Sequence, residues 1–353
     1  MRFPGLATTA ARLAAAAMAA VTCVACGSAR TTSSTPASTT TTRTTTTTSS
    51  TSSAGSVTGS QTAGTTDTTA LPGTGKPTIT VGDKNTAEQF VLGQLYVQAL
   101  RAQGFSVNIN QNIGPTDVSI PAVQNGSLTV YPEYLNTFNT AVAGYHHGFG
   151  TLLGAYQGAQ HYALSHGMQV LAPTPFSNTD ALAVTVAYAA DNHLRSIGDL
   201  NHLSAGITVG GAPQFQNGSP GLPDLNIDYG FVPIAYRAMA AGDQYAALNN
   251  GSIQAADVNT TDGQLATGDY VLMRDPRRTF GWGNVVPVVS AKAVAAEGSA
   301  FTDTLQRVDD QLDTDTIRRL NYAVSIAGQD PAAVARQFLQ THGLLTLPAP
   351  PTP

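Results

Sequence analysis

The sequence predicts an α/β protein of two lobes with a ligand cleft between them. Strand-like and helix-like patterns alternate β-α-β-α-β from Thr78 to Tyr134, which predicts a parallel sheet. A polar, turn-rich break, Pro173-Thr-Pro-Phe-Ser-Asn-Thr-Asp180, then separates this unit from a second α/β portion. A last apolar strand pattern, Val285-Val-Pro-Val-Val289, returns the chain to the first unit. One lobe is therefore built from two separated segments, with the other inserted between them.

Residues 1–28 read as an export signal. Arg2 and Arg12 flank the start, and Leu13 to Ala25 is apolar, uncharged and too short to span a bilayer. The run ends in Thr22-Cys-Val-Ala-Cys-Gly-Ser28, similar to a lipobox, with Cys26 as the lipidated residue and Cys23 as the alternative. No cysteine follows, so the mature domain has neither a disulfide nor a cysteine metal site. Residues 29–76 are Thr/Ser/Gly-rich and cannot bury a core, which predicts a disordered tether with a reach of ~40 Å. Gly73-Thr-Gly-Lys76 lacks the flanking residues of a phosphate loop.

The folded part divides into 77–178 (first lobe), 179–269 (second lobe) and 270–345 (return to the first lobe), with 346–353 a loose tail. Thr78–Val81 is a strand. Thr86-Ala-Glu-Gln89 has the form of a capping box, and Val91, Leu92, Leu95, Tyr96, Ala99 and Leu100 recur at helical spacing until Gly104. Phe105–Ile109 is a second strand, Pro115–Gln124 a helix, and Leu128–Tyr131 a third strand whose pairing Pro132 ends for want of an N–H. Glu133, Tyr134 and Thr137 then lie beyond the strand's carboxyl end, the edge where open α/β sheets bind ligands. Helical patterns at 138–144 and 151–166 and strands at 168–171, 181–186 and 206–209 follow. Tyr270–Met273 carries the chain back to the first lobe, and helices at 299–312, 314–323 and 330–342 close it.

Several motifs resemble one family. Ile79-Thr-Val-Gly-Asp-Lys-Asn85, Ile113-Gly-Pro-Thr-Asp-Val118, Val130-Tyr-Pro-Glu-Tyr134, Phe176-Ser-Asn-Thr179, Pro220-Gly-Leu222 and Thr261-Asp-Gly263 are similar to the osmoprotectant-binding proteins of ABC importers, in the same order from about 78 to 342. The resemblance implies a type II periplasmic-binding-protein fold and a lipid-anchored, extracytoplasmic, monomeric receptor. Such a receptor closes on glycine betaine, choline, carnitine or proline betaine and delivers it to a permease served by a separate ATPase. A trimethylammonium has no N–H and is held by ring faces.

Carried over by position, the resemblance implies that Tyr134 is a cage wall with Thr137 beside it. It also implies that Lys84 meets a carboxylate or closes the lobes and that Gln89 lies near the ligand, although capping explains Gln89 equally. The family's further rings are replaced by Asp180, Asn259 and Gly283, which leaves Phe215 and Trp282 as substitute rings. Asp180 either caps a turn or receives ligand N–H or O–H groups.

Other functions have less support in the sequence. The mildly acidic balance, net charge −5 with no basic stripe, opposes nucleic-acid binding. Gly-x-Ser-x-Gly, His-Glu-x-x-His and dinucleotide fingerprints are absent, and His161 and His166 are five apart, a poor spacing for joint metal ligation. No enzyme, cofactor or metal is expected. The alternatives are a receptor or sensor on the same fold for a polyamine, sugar or phenolic ligand, and a cell-envelope enzyme without a recognisable motif.

Overall fold

The computed structural model describes residues 70–145, 148–203 and 206–345, all within one compact unit, Thr66–Pro353. The expected signal, both cysteines, the tether up to residue 69 and the tail from 346 lie outside the described residues. The end of the expected tether is packed. Gly73 N–H donates to Gln103 O at 2.9 Å and the segment abuts Phe105, while Lys76 Nζ donates to Ala296 O at 2.9 Å. Folded structure therefore begins before residue 77.

The first half runs β1 (Ile79–Gly82), α1 (Ala87–Ala102), β2 (Val107–Asn110), α2 (Thr116–Asn125), β3 (Val130–Tyr134), α3 (Leu135–Thr137), a π-helical turn at Phe138–Val142, α4 (Leu152–Ser165) and β4 (Met168–Val170). Thr86 caps α1 by accepting from Gln89 N–H, and every apolar residue expected on its inner face is buried. Gln89 does not complete a capping box, because its Oε1 accepts from Lys84 N–H instead. The helix stops at Gly104, whose φ of +83° suits a residue without a Cβ.

The second lobe contains β5 (Asp180–Thr185), α5 (Val186–Asp191), β6 (Thr208–Gly211), α6 (Leu222–Tyr229), β7 (Ala235–Ala238), α7 (Asp243–Asn249), β8 (Ala255–Asn259) and β9 (Tyr270–Leu272). The chain then adds β10 (Val285–Ser290), α8 (Ala291–Glu297), α9 (Ser299–Asp309), α10 (Thr314–Ser325) and α11 (Pro331–Thr341). The sequence analysis did not separate α8 from its surroundings.

Two five-stranded sheets result, ordered β2-β1-β3-β10-β4 and β7-β6-β8-β5-β9. Within each, the βαβ strands are parallel, as the alternation predicts. The strands that enter by crossing, β10 and β5, run antiparallel to their neighbours, so each sheet is mixed. Alternate residues of β10 enter two clusters: Val285 and Val289 pack beneath α1 and α9, Val286 and Val288 against Tyr131 and Ala159. In the second sheet Leu182 and Val184 face one core, Ala181 and Ala183 the other.

Two expectations are corrected here. Pro132 does not end β3, for it lies inside the buried strand opposite Pro287. Leu171 N–H donates to Pro287 O and Leu135 N–H to Asn284 O, which makes the proline pair one that exchanges no bonds across the ladder. Neither missing N–H is then needed between these strands. Likewise Tyr270–Leu272 does not return the chain, because β9 pairs with β5 at the edge of the second sheet. The return falls at Gly281–Asn284, where Ser177 and Asn284 bridge antiparallel and Asn178 N–H donates to Gly283 O. A Cβ on Gly283 would collide with the Asn178 carbonyl, so the two crossing segments can lie side by side only with glycine there.

Candidate functional site

The carboxyl ends of both sheets border a cleft of about 640 Å³ lined by residues of both lobes. The N-terminus of α1 brings Glu88 to its floor, where the helix dipole favours a carboxylate. Glu88 is 5 % exposed. Its Oε1 accepts from Tyr134 Oη at 2.8 Å and Asn178 Nδ2 at 2.9 Å, and its Oε2 accepts from Asn321 Nδ2 at 2.8 Å. One carboxylate thus ties together the end of β3, the first crossing segment and α10. Burial, then the Glu88 charge, pushes the Tyr134 phenol well above its ordinary value, so the ring stays neutral.

The opposite wall comes from β5 and β8. Their register sets Asp180 against Asn259. Asp262 follows in the next turn, accepting from Asn259 N–H at 3.2 Å and Tyr245 Oη at 2.8 Å. Burial, helped by the Asp262 charge, pushes Asp180 up to about 6. Asp262 is raised by burial and, more weakly, by the Glu88 charge. Behind this wall, burial and then the Asp180 charge push Asp257 up to about 8. No Lys, Arg or His lines the cleft among the described residues.

Of the residues expected at the site, Tyr134, Thr137, Asp180 and Asn259 line this cleft together. Lys84 and Gln89 do not. Lys84 Nζ lies 2.6 and 2.8 Å from the Glu133 carboxylate and 2.9 Å from Thr116 Oγ1, and Gln89 is fully buried. Phe215 is also outside. It is 2 % exposed and stacked on Tyr236 and Phe280 at centroid separations of 6.4 and 6.0 Å, within the second lobe's core. Trp282 borders a second cavity of about 570 Å³. Its Nε1 donates to Phe149 O at 2.8 Å, and the Arg278 guanidinium sits 3.9 Å from its ring centroid.

Glu88, Asn178 and Asn321 were not among the residues expected at the site. A signal existed for Glu88, since the first βα turn of an open sheet delivers its helix N-terminus to the ligand edge. None existed for Asn321, which reaches the cleft only because α10 packs on the turn after Asp262; a Cβ on Gly263 would lie 2.7 Å from the Tyr322 backbone.

Comparison with known proteins places the chain. A family model described as the substrate binding domain of ABC-type glycine betaine transport system matches residues 77–341. A glycine-betaine-binding protein of Pseudomonas aeruginosa is 31% identical over 281 residues, covering 76% of this chain and 89% of the relative. Glycine betaine-binding protein YehZ of Escherichia coli is 28% identical over 288 residues, covering 78% of this chain and 93% of the relative. A crystal structure described as a glycine betaine/carnitine/choline ABC transporter superposes with a TM-score of 0.71 at 22% identity, over 76% of this chain and 99% of the other, and shares the fold.

Proposed function

Because the chain belongs to the family of substrate-binding domains of ABC-type glycine betaine transport systems, we propose that it is the extracytoplasmic solute receptor of an ABC importer. In this reading it holds a small, osmoprotectant-like organic cation between its lobes and hands it to a membrane permease served by a separate ATPase. The observation that carries the cationic ligand is the cleft wall, which Glu88, Asp180 and Asp262 line and no Lys, Arg or His lines among the described residues. Tyr134 supplies a ring face, worth about 0.5–2 kcal/mol to a desolvated cation. A ligand held by Glu88 on one lobe and Asp180 on the other binds the closed state better than the open one, which is what drives closure. Lipidation at Cys26, or alternatively Cys23, followed by the Thr/Ser-rich stretch would hold a monomeric receptor near its permease.

Calorimetric titration of the full chain with a panel of organic cations, glucose and glutamate tests this. At least one cation is expected to bind at micromolar concentration, and Tyr134→Ala to weaken it by about two- to thirtyfold. Preference for glucose or glutamate over every cation would reject the reading.

A further inference from the structure

The acidic wall also bears on what kind of cation the cleft takes. Ion pairs among the described residues are confined to Lys84–Glu133 and Arg318–Asp315, so Glu88, Asp180 and Asp262 have no cationic partner there. Arg318, a basic group on which the Asp262 charge acts, is occupied: its Nε donates to Thr260 O at 2.8 Å and its Nη1 lies 3.7 Å from Asp315. A trimethylammonium needs several ring faces, because it offers no hydrogen to an oxygen. Among the described residues the cleft supplies one ring, Tyr134, whose hydroxyl is already bonded to Glu88.

The remaining wall is rich in acceptors. Thr137, Thr179, Asn259 and Gln264 line it, and each carries a hydroxyl or amide able to accept a hydrogen bond. Asn321 lines it too, is 6 % exposed, and leaves Oδ1 without a hydrogen-bond partner. An N–H brought against this oxygen would satisfy it, which an N-methyl cannot do.

The three carboxylates are divided between the lobes. Among the described residues no group of three His, Cys, Asp or Glu side chains could hold a metal ion. A divalent ion needs its oxygens gathered at about 2.0–2.6 Å, so an extended organic cation suits carboxylates on opposite lobes better.

We infer that the solute is an organic cation bearing N–H donors, an ammonium or guanidinium compound set between Glu88 of the first lobe and Asp180 and Asp262 of the second, rather than a fully methylated one. This deepens the cationic-solute reading above and rests on it. Acid then weakens binding. Asp180, pushed up to about 6, must be ionised to pair with the ligand. The neighbouring charge that acts on Asp180 is Asp262, with Glu88 acting on Asp262; Asp257 is itself raised by the Asp180 charge, and Tyr236 and Tyr245 stay neutral, both phenols being raised by burial.

The test is calorimetric titration of the full chain with agmatine, putrescine, choline and glycine betaine, at about pH 8 and about pH 5, with wild type and Asp180→Asn. Agmatine or putrescine is expected to bind about tenfold or more tighter than either methylated solute. That binding is expected to weaken by about tenfold at the lower pH, and by a similar factor in Asp180→Asn with circular dichroism unchanged. Two results would overturn the N–H requirement while leaving a cation receptor standing: choline or glycine betaine binding as tightly as the N–H cations, or Asp180→Asn weakening choline and agmatine alike. Binding of none of the four to folded protein would remove the N–H requirement and the cationic reading together.

Discussion

Lys84→Met is expected to destabilise the protein by about 3–5 kcal/mol, the usual cost of leaving one member of a buried ion pair without the other. The Glu133 side chain is fully buried and that of Lys84 is 16 % exposed. Glu133 sits in β3, at the centre of the first sheet, and among the described residues no other basic side chain pairs with it. Its Oε2 also accepts from Tyr131 Oη at 3.0 Å and Thr116 Oγ1 at 3.1 Å, and its Oε1 from the Tyr134 N–H at 2.8 Å. Those neutral donors would persist in the variant, but they do not cancel a charge. Urea unfolding at neutral pH measures the loss. Lys84→Met/Glu133→Gln should recover much of it, because the uncompensated charge is then gone. A single-variant loss under about 1 kcal/mol would mean that water reaches Glu133 and the pair acts as a surface one. The same cluster orients Tyr134 through its backbone N–H, so the single variant should also perturb the cleft, and the double variant less.

The elements legible in the sequence were those specified locally. Thr86 and the apolar spacing of α1 define that helix within sixteen residues, and the first three strands follow from the same short-range alternation. Family motifs added the rest of the fold, and the matched span of 77–341 bears that resemblance out. Features that depend on distant pairing were not legible. Pro132 reads as a strand terminator until Pro287, far along the chain, is known to face it. Tyr270–Leu272 reads as a return segment until β5 is known to be its partner.

The site divides the same way. Tyr134 and Thr137 were visible because one short motif carries both. Asp180 and Asn259 were noticed separately, as replacements for expected rings, and only the β5–β8 register makes them neighbours. Phe215 was expected as a substitute ring because the resemblance leaves the family's other rings missing. Its place on a single 3₁₀ turn, Pro213–Gln216, turns the ring inward onto Tyr236 and Phe280. An acidic residue in a helix's first turn has an ordinary explanation in the dipole, and the three side-chain donors that mark Glu88 come from segments remote in sequence.

Asp257→Asn is expected to stabilise the unliganded protein, and to do so only above mildly acidic pH. Asp257 is 6 % exposed, and its Oδ1 has no hydrogen-bond partner. Burial, then the Asp180 charge, pushes it up to about 8, against the partial opposing effect of the Ala212 backbone N–H. The unfolded chain loses this proton near pH ~3.9. Between that value and about 8 the native state holds a proton that the unfolded state has released, so stability falls as pH rises through the window. Below about pH 4 both states are protonated and the cost vanishes. At neutral pH the cost approaches about 4 kcal/mol, at about 1.4 kcal/mol for each pH step across the window. Asparagine keeps the shape and an acceptor for Ala212 and has no proton to lose. The gain in urea midpoint should therefore be large at about pH 7.5 and small at about pH 4.5. An equal gain at both would trace the effect to packing instead of charge. Asp180→Asn should yield part of the same gain, since the Asp180 charge is one cause of the Asp257 shift. A bound cation acts on the same pair in the opposite sense, by favouring ionisation of Asp180. The acids that weaken the empty protein at neutral pH are then the ones a cationic solute relieves, so ligand stabilisation should grow as pH rises from about 5 to about 8.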